Sequence, residues 1–403
     1  MPCLTSNQNR LLRATAFALA LLAAVGCKNE MKTQKAVATQ EWNGARAAVL
    51  FSLANDQYKT GNLETSRKSI DEALALDPKN PNILLMSARL DVEQGKLERA
   101  QDTLKQAQAI DGKNADMDYL LGVINQRWQR IQQAHDCYAQ AVEKKPDDLA
   151  YLLAQAEMLV ELRREEDAIK LLSDRVIYFE HSGAIRDALA QLLEQRGDLP
   201  KAIDYYRQAS VLEMDDDAIR ERLGLALYRS GQWSDALSQL TRLLKKEANA
   251  GRTDLMVAAA ECELALGKSF EARERFERAS YAQASNVGAW QGAAKASIRL
   301  GDLRRAELAA SKAVALAPTD AQTHLLLGLV RMKQRQLEPA MASFRRASEL
   351  DPRDPVSLCM MGMLLEQGGE LDDAIALYGK AATLSPKDEL AGRLLAEATQ
   401  RVR

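Results

Sequence analysis

Three histidines and five cysteines are the residues on which metal or nucleophilic chemistry would have to rest. His135, His181 and His324 are spread along the chain, with no cysteine or carboxylate at ligand spacing from any of them. A zinc site needs three or four such groups brought together, and this spacing does not supply them. Cys3 and Cys27 stand near the amino terminus, and Cys137, Cys262 and Cys359 are separated by roughly a hundred residues each. No glycine-rich phosphate loop, HExxH or GxSxG occurs. The expectation is a protein with no catalytic residues, no metal and no cofactor or small-molecule substrate, so not an enzyme.

What positions the remaining residues is a repeat. In Pro355 to Asp388, Gly362, Gly369, Leu371, Ala374, Tyr378, Ala381 and Pro386 keep fixed places. Moving back 34 residues brings Gly328, Leu337, Ala340, Phe344, Ala347 and Pro352 onto the same marks. A period of this size signals a stack of identical supersecondary units. One small residue recurs as Ala54, Ala88, Gly122, Ala156, Ala190, Gly224, Ala260, Ala294, Gly328 and Gly362, and a second as Ser66, then Ala100 through Ala374. Every step is 34 residues except one of 36 around Gly251-Arg252, which makes ten units over 47–388.

Each unit reads as two helices. Small residues let them approach, while Leu, Tyr and Phe at helical spacing bury against them. Gly61, Gly95, Gly197, Gly231, Gly267, Gly301 and Gly369 supply the positive-φ corner. Gln129, Arg163 and Arg335 replace that glycine, and Arg175 and Leu243 replace the later small residue of the second helix. Looser or differently angled joints are expected there. Pro78, Pro146, Pro318, Pro352 and Pro386 stop the second helices. Pro200 and Pro339 fall where a second helix starts and proline is tolerated. His324 takes a first-helix packing slot and is expected in the core. The three later cysteines lie in different units, too far apart for a disulfide, and read as buried thiols, with Cys359 the most accessible.

This pattern resembles the tetratricopeptide repeat. The resemblance implies an all-α fold: a right-handed superhelical solenoid of about ten helix–turn–helix repeats. Residues 389–403 read as a carboxy-terminal capping helix. The formal net charge of −2 and the absence of a basic stripe exclude nucleic acid as a partner.

The amino terminus carries a different signal. Arg10 and Arg13 precede the apolar run Ala14 to Val25, which is short for a membrane span and fits a signal peptide over residues 1–26. Ala24-Val25-Gly26-Cys27 resembles a bacterial lipobox. That resemblance implies diacylglyceryl transfer to Cys27, and more than one acyl chain would give stable attachment. Lys28 after the cysteine implies the outer membrane, with the protein facing the periplasm. Residues 27–46 are expected to form a lipidated tether, with helix near Trp42.

The tetratricopeptide resemblance also implies that first helices line a groove for extended peptides or helices. The second, fifth, ninth, twelfth and thirteenth residues of each unit would face it. In the early units these are Phe51, Asn55, Tyr58, Leu85, Arg89, Tyr119 and Val123. The middle units present Glu157, Glu161, Asp187, Glu194, Glu221, Asp254 and Glu261, an acidic run with few bases, suited to a basic segment. The late units present Lys295, Arg299, Leu325, Met332 and Lys333. Asn55 fits a carboxylate clamp, but Phe51 stands where its lysine should be, so that mode is not expected. The whole resembles the tetratricopeptide lipoproteins of the bacterial envelope. It implies a membrane-anchored scaffold for a secretion, polysaccharide-export or pilus system, or an adaptor presenting substrates to an envelope protease.

Overall fold

Helix and turn alternate along the computed structural model, which describes residues 35, 37–386 and 389–402, with no strand among them. The expected signal peptide, Cys27 and the start of the tether lie outside the described residues. The chain divides into two units, Met1–Glu180 and His181–Arg403.

The first unit holds α1 (37–59), α2 (Leu63–Leu76), α3 (Pro81–Glu93), α4 (Leu97–Ile110), α5 (Ala115–Arg127), α6 (Ile131–Lys144), α7 (Leu149–Glu161) and α8 (Glu165–Arg175). The described part of α1 reaches ten residues ahead of the first repeat and takes in Trp42, so the later part of the expected tether is helix. The second unit holds α9 (Gly183–Gln195), α10 (Leu199–Leu212), α11 (Asp217–Arg229), α12 (Trp233–Leu244), α13 (Thr253–Ala265), α14 (Ser269–Ala282), α15 (Val287–Arg299) and α16 (Leu303–Leu316). It continues with α17 (Ala321–Lys333), α18 (Leu337–Leu350), α19 (Pro355–Gln367), α20 (Leu371–Leu384) and α21 (Glu389–Val402).

Within each unit the recurring small residues are buried where first and second helices meet, from Ala54 and Ser66 to Gly362 and Ala374. Their size is what the second helix requires. A Cβ added at Gly122 would sit 2.5 Å from the Tyr138 ring, and one at Gly328 2.5 Å from the Phe344 ring. Phe344 is fully buried against that glycine, which is worth about 2–3 kcal/mol of apolar burial.

Helix starts follow a second row that the sequence reading missed. Asn80, Asn114, Asp148, Asp216, Asn286, Asp320 and Asp354 precede first helices, and each side chain accepts a backbone N–H of the first turn. Such caps contribute about 1 kcal/mol each. Ser182 and Arg252 stand at the same place and make no such bond.

The expected looseness at Gln129, Arg163 and Arg335 is not what the backbone does. These residues take φ values of 58°, 59° and 62°, the left-handed region that the glycines occupy elsewhere. The turn bonds are of the same kind too. Gly95 N–H donates to Val92 at 3.1 Å and Gln129 N–H to Gln126 at 2.8 Å. The terminal hydrogen bonds of the first helix thus hold the corner, at a strain of about 1 kcal/mol per non-glycine residue.

Arg175 and Leu243 do alter their surroundings. α8 and α12 have 11 and 12 residues against the usual 14, and each is followed by a short 3₁₀ turn, Val176–Tyr178 and Glu247–Asn249. A bulky side chain where alanine permits close approach ends the regular pairing early. Pro200 and Pro339 stand in the first turns of α10 and α18, as expected.

Candidate functional site

Three of the candidate residues of the first unit, Phe51, Tyr58 and Tyr119, are half-buried aromatics. Phe51 and Tyr58 are half-buried against the core cluster of α1, α2 and α3. Tyr119 lies between Tyr138 and Tyr151, with ring centroids 5.4 and 4.9 Å away, and Val123 is half-buried in the same region. Tyr58 donates to Glu93 at 3.2 Å and Tyr151 donates to Asp116. Burial raises the phenols of Tyr58, Tyr119 and Tyr151 above the usual tyrosine range, so all three stay neutral donors. The Arg89 guanidinium is near enough to oppose that rise in each of them. Arg89 is half-buried and, among the described residues, has no carboxylate partner.

Not every early candidate faces outward. Leu85 is buried in the core of α3, α4 and α5, because its place on α3 turns inward. The Asn55 amide donates to the Phe51 carbonyl at 3.1 Å and is consumed within α1. Glu157 is exposed and accepts from Gln126 at 3.3 Å, and Glu161 is exposed with no ion pair among the described residues.

The acidic candidates of the second unit are compensated. Asp187 is buried and takes two bonds from Arg222, at 2.8 and 2.7 Å. Glu194 pairs with Arg229 at 2.6 Å and accepts from Tyr206 at 2.9 Å. Arg252 reaches Glu221 at 2.7 Å and Asp254 at 2.6 Å, and its hydrogen bonds hold the Asp254 carboxyl below the usual carboxylate range. Glu261 accepts from Tyr228. The apparent lack of bases along this run is therefore corrected. Arg222 and Arg252 stand outside the five positions inspected, while Arg229 is the thirteenth residue of the next unit, and each arginine lies about one repeat beyond the first carboxylate it meets.

Of the late candidates, Lys295 and Arg299 share with Glu261 a depression of about 280 Å³ floored by Phe276, Gly288 and Gly292. Arg299 also donates to the Leu264 carbonyl, at the end of the preceding first helix, where a cation is favoured. Leu325 is buried, Met332 half-buried and Lys333 exposed.

The histidines remain apart. His324 is half-buried rather than in the core, with its ring nitrogen 2.9 Å from the Pro318 carbonyl. His135 lies 3.1 Å from Asp136, and His181 is exposed. No group of three metal-ligating side chains occurs among the described residues. Cys262 and Cys359 are buried and Cys137 is half-buried, so among the described cysteines the most accessible thiol is Cys137 and not Cys359. Burial pushes the Cys262 thiol up to about 11. No helix among the described residues is long and apolar enough to cross a membrane.

Models described as "Tetratricopeptide repeat" match residues 57–124, 129–184, 184–219, 221–289, 292–355 and 356–388. Among solved structures, a thermophilic TPR (tetratricopeptide repeat) protein of Thermus thermophilus is 27% identical. The match covers 46% of this chain and 100% of that one, at a TM-score of 0.40. Yeast Tom70 is 14% identical over 88% of each chain, with a TM-score of 0.43. The Cut9–Hcn1 hetero-tetramer of the APC/C gives 17% identity, 89% and 84% coverage and a TM-score of 0.40. No curated protein matches the chain.

Proposed function

The chain belongs to the tetratricopeptide-repeat family, and from that premise we propose that it is a non-catalytic scaffold whose first unit docks an extended segment of a partner protein. The observation that carries this reading is the face of Tyr58, Tyr119 and Arg89. It combines half-buried aromatic rings with a guanidinium that makes no ion pair among the described residues. Aromatic residues in such positions anchor partner side chains, and an unpaired arginine favours an acid among them. The second unit suits a basic segment less well than its acid content suggests, because its carboxylates already hold arginines.

The remainder of the proposal concerns place. Cys27 receives a lipid, the chain is held on the periplasmic side of a bacterial outer membrane, and it supports assembly of a secretion, polysaccharide-export or pilus system. The lipobox-like Ala24 to Cys27 at the end of the apolar run supports the anchor. Tethering then raises the local concentration of both partners.

The test is photo-crosslinking from position 119 in intact cells, followed by affinity purification and mass spectrometry, with Cys27→Ala in parallel. Recovery of export or pilus components, lost with Tyr58→Ala or Arg89→Glu, is the expected result. Recovery of a protease with assorted clients would replace the assembly role by substrate delivery. Equal recovery from the Tyr58 and Arg89 variants would overturn the docking face.

A further inference from the structure

The third position of a repeat is covered in the helices that follow another within one unit. Ile83 lies in one core cluster with Ile70 and Ala73 of α2, and Ala289 in one with Ala279 of α14. Met117, Leu255, Thr323 and Ser357 at the same place are fully buried as well. Among the described residues, no second helix precedes α1. Its residue at this position, Val49, is 69% exposed, and Leu53 one turn on is 46% exposed. Trp42, 65% exposed, lies two turns earlier on the same helical stripe. An end repeat in an array is normally polar on its outer side. The carboxy-terminal end obeys this rule, since Arg393, Glu397 and Gln400 are exposed on α21. The amino-terminal end breaks it.

We infer that the Trp42–Val49–Leu53 face of α1 is covered by the same face of a second copy, in an antiparallel two-fold pair. Two arguments select this occupant. The first is charge. Arg46 and Asp56 are both exposed and stand five residues on either side of Phe51. Antiparallel pairing about that midpoint brings each Arg46 level with Asp56 of the other copy. The second is chain length, and it rests on the processing proposed above. From Cys27 only eight residues precede Lys35, the first residue described as helix, too few for the 14-residue helix that covers this face elsewhere. Head-to-tail stacking is disfavoured because the polar end of α21 would meet an apolar stripe. An isologous contact closes on itself and leaves no open end.

Sedimentation of the full chain in a mild, density-matched detergent tests the pair. The expected protein mass is twice that of one chain beginning at Cys27. Val49→Asp with Leu53→Asp gives single chains whose circular dichroism and thermal midpoint are unchanged, since both positions face solvent in one copy. Arg46→Asp or Asp56→Arg alone weakens the pair roughly tenfold, because symmetry doubles each ion pair, and the two together restore it. A wild-type protein that sediments as single chains overturns the proposal, as would occur if its own amino terminus covered the face. A dimer indifferent to the Val49 and Leu53 changes, or copies crosslinked from α1 to α21, overturns it too. Failure of the position-119 crosslinks with the dimer intact would count against the docking face alone, and a dimer in a chain unprocessed at Cys27 against the anchor alone.

Discussion

The two units build their first-helix faces from the same fold positions and fill them differently. In the first, Tyr58 and Tyr119 are half-buried beside Arg89, which makes no ion pair among the described residues. In the second, the comparable surface is closed by arginine–carboxylate pairs, Arg222 with Asp187, Arg229 with Glu194, and Arg252 with Glu221 and Asp254. Charge density along a repeat face is therefore a poor guide to what it can bind. Paired charges hold neighbouring repeats together, whereas an unmatched cation among aromatic rings is available to a partner.

The largest expected effect separates stabilising from available arginines. Arg222→Ala leaves the buried Asp187 with a single side-chain donor, Gln191, and should cost roughly 3 kcal/mol in urea unfolding. Arg89→Ala should stay within about 0.5 kcal/mol of the parent while weakening partner capture. Equal losses of stability would erase the contrast between the faces.

Packing behind the two faces differs by a smaller margin. Gly122→Ala drives a methyl to 2.5 Å from the Tyr138 ring, whereas at Gly224 the nearest atom is Leu240 Cδ2 at 3.2 Å. The first change should cost about 1–2 kcal/mol net of the better helix propensity of alanine. The second should lie within about 0.5 kcal/mol of neutral. Thermal midpoints of the two variants measure this, and a reversed order would mean that Tyr138 can move where Leu240 cannot.

A weaker effect appears in alkali. Burial, followed by a carboxylate bond in all but Tyr138, raises the phenols of Tyr138 and Tyr151 in the first unit and of Tyr206, Tyr228 and Tyr378 in the second. The folded chain therefore holds these protons after the unfolded chain has released them near pH ~10. Stability should fall as pH rises above that value, and Tyr206→Phe should soften the fall. A thermal midpoint that stays level up to pH ~11 would contradict the burial of these hydroxyls.

The smallest contrast is one of rates. Cys137 in the first unit, half-buried, should react with a thiol reagent in the native protein, while Cys262 and Cys359 in the second wait for unfolding. Mass spectrometry of partly labelled protein would show the order, and early modification of Cys359 would reverse it.

The 34-residue spacing of small residues was enough to find the helix pairs, because close approach of two helices permits only Gly, Ala or Ser at the contact, wherever the repeat stands. Turn glycines and terminal prolines are equally local, and the Asn and Asp caps could have been read from the same period. The sequence did not reveal that Gln129, Arg163 and Arg335 would accept a glycine's φ, since that depends on hydrogen bonds closing the helix end. Nor did it show that Leu85 is buried, that Cys359 is covered or that His324 is not in the core. The pairing of the acidic run was the least legible feature. Asp187 and Arg222 are 35 residues apart, as are Glu194 and Arg229. Those separations become contacts only when one repeat is stacked on the next, so composition along one helix counts the carboxylates while tertiary structure decides which of them are free.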